Sequence, residues 1–189
     1  MKALWQMWSG LLPAETCDEI IATASLLPEI EARIGTRGGV GVDRNVRRSE
    51  IRWIEEWHED FNEVRGFMKR KFDEANSNAF GVDTSFLRNI QFTKYNADNI
   101  GHYDWHEDIF WESDNVLDRK LSMVIQLSDP DEYEGGNLEL SHNEPPPAAD
   151  LRKRGTIIVF PAFLKHRVTP VTKGIRHSLV AWMEGPKWR

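Results

Sequence analysis

The stretch Tyr103-Asp104-Trp105-His106-Glu107-Asp108-Ile109-Phe110-Trp111 ("YDWHEDIFW") sets an imidazole and a carboxylate two residues apart inside a run of large aromatics. Aromatic side chains favour a pleated, half-buried surface, so the stretch reads as a strand or strand edge. On a strand, residues i and i+2 point to the same side, so His106 and Asp108 project together and Glu107 turns away. Such a pair can hold a metal, form a structural hydrogen bond or begin an acid-base pair. The rest of the chain has to choose among these.

A length of 189 residues fits one domain spanning residues 1–189 with a core of its own. Hydrophobic residues make up 40% and charged residues 29%, the balance of a globular protein rather than a disordered one. The formal net charge of −6 argues against a general nucleic-acid binder. Cys17 is the single cysteine, so the chain can form no internal disulfide and no cysteine-based zinc site, which suits the cytoplasm. The apolar N-terminal run is broken by Gln6, Ser9 and Gly10, and no stretch approaches the ~20 apolar residues of a membrane span.

Residues 3–8 read as a short strand, and Pro13 with the acids after it opens a helix in which Cys17, Ile20, Ile21, Ala24 and Leu27 recur at helical spacing. The stretch "GTRGGVGVDRNVRRSE" reads as a solvated mobile loop; as a flap it would bring Arg37, Arg44, Arg47 and Arg48 to an acidic partner. Residues 60–76 form a second amphipathic helix with Phe61, Val64, Phe67, Met68, Phe72 and Ala75 on one face. After Gly81 come short strand-like runs, "FLRNIQFTKY", "KLSMVIQLS", "GNLEL", "GTIIVF", "HRVTPV" and "RHSLVAWM", separated by turn residues. Helices followed by strands imply an α+β fold with the helices packed on an antiparallel sheet or barrel.

Further residues join the His-x-Asp pair. His166 opens "HRVTPV", Arg176 follows ten residues later, and Ser178 lies two beyond it. Alternation sets Arg176, Ser178, Val180 and Trp182 on one face of their strand. Two histidines and one carboxylate on one side of a metal are the facial triad of non-haem Fe(II) oxygenases. A guanidinium offers a carboxylate a two-bond fork, and Ser178 can donate another bond. The five groups make sense together if an anionic ligand also reaches the metal.

Five segments, in order and in spacing, carry a resemblance to the Fe(II)- and 2-oxoglutarate-dependent dioxygenases, within them the prolyl 4-hydroxylase-like branch. They are the Tyr95 to Asp108 stretch ending in "YDWHED", then "RKLSMVIQLSD", "YEGGNLEL", "GTIIVFPAFLKHRVTPV" and "GIRHSLVAWMEGP", covering roughly Asn89 to Pro186. The resemblance implies a double-stranded β-helix (jelly-roll) core with helices outside. It implies that His106, Asp108 and His166 hold Fe(II), and that Arg176, assisted by Ser178, pairs with the distal carboxylate of 2-oxoglutarate. Tyr95 matches a tyrosine that reaches the co-substrate, and Gln126 falls where some prolyl hydroxylases carry a second one. The implied reaction hydroxylates a C–H bond with O2 as 2-oxoglutarate is decarboxylated to succinate.

The substrate so implied is a residue of a polypeptide, proline first; a free amino acid or another small molecule is the rival, and no membrane or nucleic acid is expected. Nucleic-acid demethylases of this kind carry a second arginine six residues after the first, where this chain has Trp182. Outside the enzymes, the competing reading is a β-barrel metal-binding protein without catalysis, which would need no Arg176. His102 reads as a loop residue at the start of its strand, His142 as solvated, and His58 as part of a charged stretch. Tyr103 and Trp105 read as packing or as lining of a substrate entrance, and Gly135-Gly136 as a tight turn requiring φ > 0.

Overall fold

Side-chain alternation along the strand Val171–Pro186 separates two cores: Leu179, Ala181 and Met183 face one, and Arg176, Ser178, Val180 and Trp182 line the other. The structure, a computed structural model, describes residues 1–32, 34–36, 39–111 and 114–188. The first half runs β1 (Gln6–Trp8), helix α1 (Ala14–Ala24), β2 (Ile30–Glu31), β3 (Ile34–Thr36), β4 (Gly39–Gly41), β5 (Arg47–Arg48), β6 (Glu50–Ile54) and helix α2 (Asn62–Ala75). There follow β7 (Phe86–Leu87), β8 (Ile90–Asn96), β9 (His102–His106), β10 (Leu117–Gln126), β11 (Tyr133–Gly135), β12 (Leu138–Leu140), helix α3 (Ala148–Arg152), β13 (Ile157–Pro161), β14 (His166–Val168) and β15 (Val171–Pro186).

Among the described residues, nine strands form the larger sheet in the order β1-β13-β10-β15-β8-β6-β2, with β7 and β11 also on β15. A smaller sheet of order β12-β14-β9-β5 faces it, and β3 and β4 form a separate hairpin. The strand pairs are antiparallel, and the two facing sheets make the double-stranded β-helix that the resemblance implies. Helices α1 and α2 cover the outer face of the larger sheet: Cys17, Ile20 and Ala24 of α1, with Met68, Phe72 and Ala75 of α2, are buried against Phe92, Met123, Ile125, Leu179 and Ala181. The space between the sheets holds the second core, around Val124, Ile158, Phe160, Leu164 and Val168.

Several boundaries differ from expectation for local reasons. The first strand begins at Gln6, and α1 stops at Ala24, because Pro28 disfavours a helical residue before it; Leu27 still packs on the core from beyond the helix. Pro170 divides "HRVTPV", so β14 ends at Val168 and β15 starts at Val171. The arginine-rich stretch expected as a mobile loop contains β3, β4 and β5, and Arg47 in β5 is buried, whereas Arg44 and Arg48 are not. Gly135 and Gly136 have φ of 73° and 59°, as their turn demands. No helix among the described residues is long and apolar enough to cross a membrane.

Phe72 is fully buried between α2 and the sheet, so Phe72→Ala removes a ring from the outer core without touching the inner one. We expect a loss of about 3–5 kcal/mol in urea-induced unfolding, with the denaturant slope unchanged.

Candidate metal centre and its cavity

The pairing of β9 with β14 sets His106 directly opposite His166. Asp108 arrives differently from the expected strand alternation. β9 ends at His106, and Asp108 lies on the bend beyond it, held by its own N–H, which donates to the Ala162 carbonyl at 2.8 Å. The three residues bring one ligand atom each to within 4.8 Å of one another. Asp108 Oδ1 is 3.9 Å from His106 Nε2, and Asp108 Oδ2 is 3.5 Å from His166 Nε2.

The tautomer and orientation of both rings follow from their other nitrogens. His106 Nδ1 is 2.8 Å from the Asp104 carbonyl and His166 Nδ1 is 2.9 Å from the Leu164 carbonyl. A carbonyl can only accept, so each Nδ1 donates, which in the neutral ring leaves the Nε2 lone pair turned to the shared point. Burial, reinforced by the neighbouring His166, pushes the pKa of His106 down to about 3, so this ring is neutral. Burial pushes the Asp108 carboxyl up. His166, His106, Arg119 and the Ser122 hydroxyl together outweigh that and hold it well below the ordinary carboxylate range. Ser122 Oγ donates to Asp108 Oδ2 at 2.6 Å. Two imidazoles and a fixed carboxylate, each oriented by a hydrogen bond behind it, fit a divalent iron with open positions.

The cluster opens into a cavity of about 800 Å³ that Tyr95, Arg176 and Ser178 also line. Tyr95 and Arg176 are directly paired across β8 and β15, so their side chains share a face, and the Arg176 guanidinium lies 5.6 Å from the Tyr95 ring. Arg176 is 2% exposed, and no acid pairs with it among the described residues. A buried guanidinium without a counter-anion is what a carboxylate-bearing co-substrate would complete. Gly136 gives it room, since a Cβ there would stand 3.0 Å from Arg176 Cδ.

Gln126 is placed otherwise. It lies opposite Ser178 on β10, but it does not line the cavity. Its amide nitrogen donates to the Ser128 carbonyl and to the Tyr133 hydroxyl, at 3.0 Å each. Tyr103 and Trp105 do line the cavity; the Tyr103 ring stacks on His106 with centroids 3.4 Å apart, and burial pushes its hydroxyl up to about 12. His102 bridges the Ile100 and Asn45 carbonyls, His142 bonds to the backbone of Glu144, and His58 accepts from the Glu55 N–H, so none joins the cluster. Arg37 and residues 112–113 lie outside the described residues.

Two side chains of the site, Ser122 and Arg119, were not singled out in the sequence, whereas Arg47 was named only among the arginines of a flap. Arg119 is turned to the cavity by a register shift between Arg119 and Leu121, where β10 bulges against β15. Strict alternation from Leu121 would have sent it to the outer core. Ser122 was legible by the same counting, two residues before Val124 on the inward face.

With this geometry in hand, comparisons with known proteins agree on one group. A family model described as the 2OG-Fe(II) oxygenase superfamily matches residues 90–184, half of the chain. A PKHD-type hydroxylase of Synechococcus sp. (strain JA-3-3Ab) is 34% identical over 84 residues, 43% of this chain. That match spans only 37% of the relative's length. A Pseudomonas putida prolyl-4-hydroxylase superposes with a TM-score of 0.70 at 19% identity, covering 97% of this chain and 94% of that one. The viral collagen prolyl hydroxylase of Paramecium Bursaria Chlorella virus-1, solved with 2OG, gives a TM-score of 0.68 at 20% identity over 97% of each chain. At these identities the two structures share the fold.

Because Ser122 backs Asp108 rather than joining the three-residue cluster, Ser122→Ala tests the hydrogen bond behind that carboxylate. We expect anaerobic titration to show Fe(II) affinity lowered by about 10–100-fold, with the unfolding midpoint little changed.

Proposed function

This chain belongs to the 2OG-Fe(II) oxygenase superfamily, and from that membership we propose a single-domain Fe(II)- and 2-oxoglutarate-dependent hydroxylase that acts on a C–H bond of a peptidyl residue, proline first. The observation that carries the reading is that a cluster of three potential ligands and a buried guanidinium, with no acid partner among the described residues, face one cavity. Bound iron, 2-oxoglutarate and O2 would supply the oxidising chemistry. The protein's part is to bind, orient and exclude water.

His106, Asp108 and His166 would hold the metal through Nε2, a carboxylate oxygen and Nε2. Arg176 would take the far carboxylate of 2-oxoglutarate in a two-bond fork, with the Ser178 hydroxyl, on the same face of β15, as a further donor. Tyr95, whose ring lies beside the guanidinium, bounds that end of the cavity. Val124, Leu138 and Val180 give the lining apolar walls, which keep water from the reacting carbon and strengthen the charged contacts. Gln126 would act behind these residues, fixing the Tyr133 hydroxyl rather than touching the co-substrate.

A polypeptide substrate is supported by the names of the structures that share the fold, which are prolyl hydroxylases, and by exposed aromatic groups, Trp105 and Phe110, on the cavity lining. The buried single cysteine suits action in the cytoplasm. Succinate release and product mass, followed across proline peptides and free amino acids, test this assignment. Turnover on a free amino acid with none on any peptide would overturn it.

For the co-substrate, we expect Arg176→Ala to weaken 2-oxoglutarate binding by about 10–150-fold, the loss of a charged hydrogen-bond pair worth about 1.5–3 kcal/mol. Fe(II) affinity in the absence of 2-oxoglutarate should change far less. Unchanged 2-oxoglutarate affinity would remove Arg176 from the site.

A further inference from the structure

Two guanidiniums and an indole N–H remain without a task once metal and co-substrate are assigned. Arg47 is 8% exposed; its Nε donates to Ser49 Oγ at 2.8 Å and its guanidinium lies 4.5 Å from the Tyr103 ring centroid. Neither of its terminal nitrogens has a partner among the described residues. Arg119 lies over Trp182, 3.8 Å from the ring centroid, with its side chain 30% exposed, and donates no side-chain hydrogen bond among those residues. Its nearest acid is Asp108 at 4.0 Å, a carboxylate already committed to the metal. Trp182 is 4% exposed, and its indole N–H is buried without an acceptor. All three residues line the cavity.

The other acids of the lining are engaged elsewhere. Glu31 pairs with Arg44 at 2.8 Å, Asp43 accepts from the Asn45 N–H at 2.9 Å, and Glu107 accepts from Trp111 Nε1 at 3.1 Å. Next to the metal, Arg47, Arg119, Arg176 and a divalent iron meet Asp108 and the two carboxylates of 2-oxoglutarate, an excess of two positive charges; Asp43, Glu107 and Lys165 elsewhere in the lining lower that excess to one. Donors without acceptors, removed from water, select an acceptor-only anion. Contact with the Tyr103 ring does not by itself remove the penalty of burying the Arg47 guanidinium.

Building on the hydroxylase reading above, we propose that the substrate carries a carboxylate close to the carbon that is hydroxylated, and that Arg47 and Arg119, with the Trp182 N–H, form the subsite that reads it. The carboxylate belongs to an acidic side chain or a chain terminus if the substrate is a peptide, and to the α-position if it is a free amino acid. The chemistry of recognition is the same in both cases. The overall charge of −6 does not oppose it, because exposed charges are screened beyond about 8–10 Å whereas the buried Arg47 and the part-exposed Arg119 line the cavity itself.

The test is binding, read by tryptophan fluorescence, to Mn(II)-loaded protein with saturating 2-oxoglutarate under argon. The probes are capped peptides with proline flanked by Asp, Glu, Asn, Gln or Lys, together with N-acetyl-aspartate and free proline. Carboxylate probes should bind at least about tenfold more tightly than their amide isosteres. Arg47→Gln and Arg119→Gln should each bring the pairs towards parity, and Arg47→Lys should restore part of the preference. Small carboxylates binding without peptides, or the reverse, assigns the source. Equal binding of Asp and Asn peptides by the wild-type protein, a preference that survives both Gln variants, or no binding of any carboxylate probe overturns the proposal. Mn(II) and 2-oxoglutarate affinities measured alongside keep the questions apart, since their absence would sink the hydroxylase reading instead. Should Arg47→Gln fail to fold, the wild-type isostere comparison and Arg119→Gln decide alone.

Discussion

Arg176 carries a permanent positive charge into the space between two sheets, where it is 2% exposed and meets no carboxylate among the described residues. Burying an unpaired ion is penalised by several kcal/mol, so the rest of the fold must be stable enough to hold it there. The outer core does this. Helices α1 and α2 seal an apolar layer around Phe72, Phe80, Phe92, Met123 and Leu179 on the far side of the same sheet. The inner face is thereby free to carry groups that a core would not choose, among them Asp108, His166, Arg176 and Ser178, all buried.

The two faces are kept apart by register. β15 pairs with β10 from Pro186 to Ser178 and with β8 from Val180 to Ile175, which ties its alternation to both neighbours at once. A slip of one residue would send Arg176 and Ser178 into the apolar layer and Leu179 into the cavity, so register is strongly specified. The bulge at Arg119 and Leu121 is the one place where β10 breaks phase with β15, and it turns a further guanidinium inward beside Asp108. Opposite, the pairing of His166 with His106 brings two imidazoles together from positions sixty residues apart.

What the sequence disclosed follows from the same rule of period two. The inward set of Arg176, Ser178, Val180 and Trp182 was readable because β15 is regular there, and His106 and His166 because each sits in a short strand. Asp108 reached the site although the strand had already ended, its position set by a backbone bond to Ala162 that no local pattern announces. Arg119 was hidden by the bulge. Arg47 was named among four arginines of a flap, but a glycine- and arginine-rich stretch reads as solvated, and only pairing of β5 with β9 singles it out and lays it over Tyr103. Gln126 was assigned by resemblance alone, and its side chain turns to Ser128 and Tyr133 instead. Local periodicity shows what a strand presents; long-range pairing decides which of those side chains meet.

The claim that one cavity holds both the metal and the dicarboxylate is open to a direct measurement. Equilibrium dialysis of labelled 2-oxoglutarate against the wild-type protein under argon, with and without Fe(II), reads both partners together. A shared site predicts one 2-oxoglutarate retained per chain with Fe(II) present and much weaker retention without it, because the ligand is held at one end by the metal and at the other by Arg176. Retention that is the same with and without iron, or none in either case, would contradict the account.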